Sequence, residues 1–147
     1  MEILYLHFEP DIQIIWEEVC DYLYEIGLKR KIYLRSITLE DIPAEKRLTL
    51  AANFASARVV DGRAPILSPF THEIEYEMKR FEGRKRPEGL LYDGLIVRKI
   101  YDEYLKIMRF SDDQYHVFFI GDLIGTKDSD GFYHARVAIF SYPSLVS

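Results

Sequence analysis

The alternation of apolar and polar positions is clearest between Leu90 and Ser141, where its period changes twice. In EGLLYDGLIVRKIYDEYLKIM, the residues Leu91, Leu95, Ile96, Ile100, Tyr104 and Ile107 form one stripe, with Arg98, Asp102 and Lys106 opposite. The spacing predicts a helix over 90–108, with Asp102 and Lys106 ordered for a weak surface pair. Gly94 inside this run costs roughly 1 kcal/mol relative to alanine, which points to close packing of the helix backbone on a sheet. Past the polar turn Ser111-Asp112-Asp113, the segment YHVFFIGD turns aromatic and β-branched, so residues 114–120 read as a buried strand. LIGT then leads into the turn KDSDG, whose Asp130-Gly131 pair suits positive φ. FYHARVAIFS alternates strictly, which predicts a strand over 132–141 near a sheet edge, antiparallel to its predecessor. Tyr133, Ala135, Val137 and Ile139 make its more apolar, buried face, and Pro143 stops it.

The N-terminal half carries a second recognisable unit. Residues 2–8 form a short apolar strand, and a helix over 10–26 follows, opened by Glu9, Pro10 and Asp11. Its stripe is Ile12, Ile15, Trp16, Val19, Leu23 and Ile26, and Gly27 is a suitable stop. KIYLRSI at 31–37 is the next strand, so the three elements make a βαβ unit with parallel strands. Between Thr38 and Phe70 the pattern is mixed. Pro43–Ala57 can form a helix with Leu48, Ala51, Ala52 and Ala55 on one side, while RVVDGRAPIL can hold a short strand and turn. Thr71 can cap a further helix with Ile74, Met78 and Phe81 on one face. The expected fold is α/β: a mixed twisted sheet with packed helices, an N-terminal βαβ unit and a C-terminal antiparallel hairpin, in one domain over 1–147.

Composition narrows the chemistry. The net charge of −5 argues against general nucleic-acid binding, and no apolar run is long enough to span a membrane, leaving the cytoplasm as the expected location. The basic run Lys79-Arg80 with Arg84-Lys85-Arg86 reads as a solvated loop around Gly83. One cysteine, Cys20, excludes a disulfide framework and a thiolate metal site. One asparagine and two glutamines beside many Glu, Lys, Arg, Ile and Tyr is a heat-adapted balance, which suggests a thermophile. His72-Glu73 imitates a zinc-protease helix, but Tyr76 stands where the second histidine is needed, and Glu77 is about 140° round the helix from His72. His116 and His134 could face each other across the hairpin near Asp122, without a third ligand at diagnostic spacing. His7 reads as an ordinary strand residue; Ser68 and Ser141 lack a nucleophile context, and nothing fixes the separation of Asp93 and Asp122. No catalytic, cofactor-binding or metal residue, and no cofactor, is therefore assigned.

RKIYDEYLKI, YHVFFIGDLIG and GFYHARVAIFSYPSL give the chain a resemblance to the archaemetzincin-like group of zincin-fold metallopeptidases, which includes an archaeal metallopeptidase family of unknown function. In that group a helix leads to a strand ending in a DL pair, here Asp122-Leu123, and a hairpin then gives an edge strand ending in a serine, here Ser141. The resemblance implies a zincin-like scaffold with an edge strand along which a peptide is laid. The group's HExxHxxGxxH helix follows that strand, and none of its positions exists in this sequence, so no zinc or catalytic residue carries over. The readings left open are a non-catalytic binding or interaction module, a metallopeptidase whose catalytic part is missing from this chain, and an unrelated small α/β enzyme. Loss of the covering helix would also leave the 132–141 strand region as a homodimer contact.

Overall fold

The computed structural model describes residues 3–9, 12, 14–28, 30–37, 40, 42–83 and 89–147. The elements run β1 (Ile3–Phe8), α1 (Trp16–Glu25), β2 (Lys31–Ser36), α2 (Ala44–Ser56), β3 (Arg58–Val59), α3 (Thr71–Phe81), β4 (Leu91–Asp93), α4 (Gly94–Ile107), β5 (Tyr115–Phe119), β6 (Leu123–Lys127), β7 (Tyr133–Arg136), β8 (Ala138–Ile139) and β9 (Ser144–Val146). The α/β class and the N-terminal βαβ unit are as expected, with β1 and β2 parallel and paired from Ile3↔Lys31 to Phe8↔Ser36. Gly27, at φ +87°, ends α1 as the sequence suggests. The helix expected over 10–26 begins only at Trp16: Pro10 and Asp11 lie outside the described residues, while Ile12 and Ile14 are not helical and Ile15 is the extended cap residue.

The single sheet of the sequence reading is replaced by two. One has the order β2-β1-β5-β9-β8 and the other β3-β4-β6-β7. In the first, β1, β2, β5 and β9 are parallel and β8 is antiparallel at the edge. The predicted 132–141 strand breaks at Val137: its first half, β7, pairs with β6 in the second sheet, and its second half, β8, pairs with β9 in the first. LIGTK is a strand rather than a lead-in, so the C-terminal hairpin joins 123–127 to 133–136, not to 114–120. The Asp130-Gly131 turn is present, with Gly131 at φ +84°.

The helix over 90–108 also starts later than its pattern suggests. Leu91–Asp93 is taken into the second sheet between β3 and β6, and the Asp93 carboxylate then accepts from the N–H groups of Leu95 and Ile96, both at 2.9 Å. That is an N-cap, so the helix begins at Gly94. The close packing argued for Gly94 is found: a Cβ there would lie 2.2 Å from Ile139 Cδ1 and 3.3 Å from the Gly125 carbonyl oxygen. The buried side of α4 is Val97, Ile100, Tyr101, Tyr104 and Leu105, whereas Leu95 is exposed. The core joins these residues to Leu50 and Phe54 of α2, Tyr92, Phe118, Ile124 and Leu145, so α4 ties both sheets together. In α2 it is Leu50 and Phe54 with Ala51 and Ala55 that turn inward, and Leu48 is exposed. In α3, Phe70 rather than Thr71 is the cap residue, with its N–H bonded to the Glu73 carboxylate at 2.7 Å. Among the described residues no helix is long and apolar enough to cross a membrane.

Candidate functional site

In the first sheet β1 connects to β2 on one side while β5 lies on the other, so the crevice beyond the ends of β1 and β5 is where open α/β sheets place ligands. Here that crevice is bridged from within. Glu9 accepts from the Gly121 N–H at 3.0 Å through one oxygen and from the Tyr101 hydroxyl at 3.1 Å through the other. Burial and the Glu9 charge hold the Tyr101 hydroxyl well above its usual pKa. Glu9 thus latches β1 to the loop after β5.

Behind the latch lies a buried ionic cluster. Glu77 is fully buried on α3 and accepts from Arg58 (2.8 and 2.9 Å), Arg80 (2.7 Å) and the Tyr92 hydroxyl (2.8 Å). Arg80 also pairs with Asp122 at 3.2 Å, and its guanidinium lies over the rings of Phe54 and Phe81. Burial works against the Arg80 charge, but the Asp122 and Glu77 carboxylates hold its pKa above the usual value. Asp122 is itself fully buried, and that desolvation pushes its carboxyl up to about 7 against the pull of Arg80. Both Asp122 oxygens and Arg80 Nη2 are buried without a hydrogen-bond partner. The cluster joins α3, β3, β4 and the β5–β6 link, which is a structural placement. The apolar face expected for α3 misses it, because Ile74, Met78 and Phe81 are only half-buried while Glu77 and Arg80 go deepest.

The histidines are arranged differently from the expectation. His116 does not face His134; it sits on the first sheet and bonds His7 at 2.9 Å, Nδ1 to Nε2. Both imidazoles are buried in an aromatic box in which His7 stacks on Phe118 at 4.3 Å and His116 on Tyr5 at 5.2 Å. Desolvation, then the neighbouring His116 and Arg35, lowers His7 to about 3, and burial lowers His116 to about 4, so the pair is neutral. His134 is exposed on the second sheet with Asp130 at 2.8 Å, and His72 is exposed at the start of α3. Arg80 leaves the expected solvated basic loop for the cluster, and Arg84, Lys85 and Arg86 lie outside the described residues. Among the described residues no three His, Cys, Asp or Glu side chains are placed to hold a metal.

The edge at β8 is open. Pairing Ala138↔Val146 and Ile139↔Leu145, with the Ser147 N–H on the Val137 carbonyl at 2.9 Å, turns the backbone groups of Val137 and Ile139 toward β9. By antiparallel alternation the N–H and C=O of Ala138 and Phe140 point away from the sheet. Val137 is 81% exposed and Phe140 89%, the reverse of the buried role expected for Val137. The inner side is fixed: Ile139 packs on Gly94, and Arg98 donates to the Tyr142 carbonyl at 2.5 Å. Asp93, which caps α4, also accepts from the Tyr133 hydroxyl, which burial and that bond push up to about 12. Asp93 and Asp122 therefore serve two separate clusters.

The expectation did not single out the His7–His116 pair or Glu77. A histidine on each of two predicted strands was the available signal, but bringing His7 beside His116 needed the pairing of β1 with β5, in a register that sets His7 opposite Phe118 and His116 opposite Tyr5. No curated protein and no solved structure matches the chain. A family model described as a family of unknown function (DUF7001) matches residues 5–147, and the chain belongs to that family.

Proposed function

We propose that this chain is a binding module that takes an extended peptide segment as an added strand on the outer edge of β8. The observation that carries this is the conjunction at 137–140: outward-facing backbone groups on Ala138 and Phe140, flanked by the two most exposed large apolar side chains among the described residues, Val137 and Phe140. Strand addition supplies affinity through main-chain hydrogen bonds, and apolar side chains beside the edge supply preference. Gly94, Arg98 and Ile139 hold the edge rigidly from inside, which lowers the ordering cost of binding. The resemblance to archaemetzincin-like proteins supports the same location, since it too lays a peptide on an antiparallel edge strand, narrowed here from 132–141 to Ala138–Ile139. The zincin likeness rests on those sequence segments and on the parallel sheet with its antiparallel edge.

The test is fluorescence anisotropy with a labelled peptide of alternating valine and threonine. Binding that is lost on Phe140→Asp and with a probe N-methylated at alternate residues supports the proposal. Binding indifferent to both changes, or no binding up to millimolar protein, contradicts it.

A further inference from the structure

We infer that α1 and the outer side of β2 form a two-fold interface with a second copy of this chain. Each of the other three helices buries residues, yet α1 buries none. Trp16, Val19 and Leu23 only half-cover the sheet, and Ile15, Tyr22 and Ile26, which share an adjoining side of the helix, are each more than half exposed. Leu34, on the sheet face that α1 covers, is 43% exposed. β2 is the end strand of its sheet, and among the described residues its outer edge is unpaired. An apolar arc beside an open edge is a poor surface for a lone molecule.

Charge identifies the occupant. Glu17, Glu18, Asp21 and Glu25 are exposed on α1, and Lys31 and Arg35 are exposed on β2. Among the described residues none of the six takes part in an ion pair within the chain; Lys31 and Arg35 lie over the rings of Tyr33 and Tyr5. Direct β2-to-β2 pairing would bring the two sets of cations together. Lys31 and Arg35 alternate with Leu34 onto the sheet face opposite α1, so a two-fold contact that sets α1 of one copy over that face of the other's β2 matches acid to base twice and covers Tyr22 and Ile26 in the same step. The surface is therefore complementary to itself, which a foreign partner would have no reason to match.

Light scattering after size exclusion, at micromolar protein and in low and high salt, reads the state. The expected result is a dimer weakened by salt, converted to monomer by Asp21→Lys with Glu25→Lys and also by Lys31→Glu with Arg35→Glu. Combining all four substitutions should restore the dimer, which simple unfolding of either variant would not do. A wild-type monomer, a dimer unmoved by either charge reversal, failure of the combined variant to recover, or a dimer dissociated instead by Val137→Lys would each overturn the inference.

Discussion

Acidification should weaken this protein through its two buried histidines. In the unfolded chain an imidazole takes up a proton as the pH falls below about 6.5. In the folded chain His7 holds off protonation to about 3 and His116 to about 4, because burial opposes both charges and His116 and Arg35 further oppose the charge on His7. The folded pKa values are depressed, and these groups are bases. Their effect is therefore nil above pH 6.5, and stability is lost as the pH falls from there toward 4 and 3. At about 1.4 kcal/mol per unit, moving to pH ~5 costs about 2 kcal/mol through His7 alone and up to about 4 kcal/mol for the pair. Asp122 works in the opposite sense: burial raises its carboxyl, so the folded chain gains on the unfolded one as the pH falls through about 7. Comparing wild type with the double variant His7→Phe, His116→Phe cancels the Asp122 contribution. Urea unfolding at both pH values should show the wild type losing roughly 2–4 kcal/mol more than the variant. Imidazole C–H resonances should show two of the four histidines silent down to about pH 5. Equal pH slopes for the two proteins, or four histidines titrating near pH 6.5, would refute the reasoning.

Other perturbations test the remaining contacts. Glu77→Gln removes the charge that Arg58, Arg80 and Tyr92 all share, and urea unfolding should register a loss of about 3–5 kcal/mol. Asp122→Asn should be better tolerated at pH 8 than at pH 5, because the wild type loses stability as the pH rises from the usual carboxylate range to about 7, and the whole cost is present above that. Asp93→Ala takes away the α4 cap and the Tyr133 partner, and thermal unfolding should show about 1–2 kcal/mol of lost stability. Gly94→Val forces Ile139 aside, so it should lower stability and also weaken the peptide binding proposed for β8, which a substitution on α3 would not do.

The local elements were legible where local pattern decides them. The βαβ unit, the stop at Gly27, the Asp130-Gly131 turn and the tight packing of Gly94 all follow from residue type and period. What failed was assignment that depends on partners far along the chain. Leu91–Asp93 carries a helical pattern, but pairing with Arg58–Val59 and Leu123–Gly125 draws it into a strand. The alternation of 132–141 continues through Val137 without a break, so nothing local marks where the chain leaves one sheet for the other. Glu77 and Arg80 look like solvent residues by type, and only the arrival of Arg58, Tyr92 and Asp122 makes their burial tolerable. The edge itself was anticipated, though its extent and its exposed face were not.

Amide hydrogen exchange measured residue by residue, with and without the alternating valine–threonine peptide, tests the binding edge most directly. Bound peptide should slow exchange at the Ala138 and Phe140 N–H groups, and the N-methylated peptide should not. Unchanged exchange at both amides under saturating peptide, with protection appearing instead in the α2–α3 groove around Leu48, Ile74 and Met78, would contradict binding at this edge.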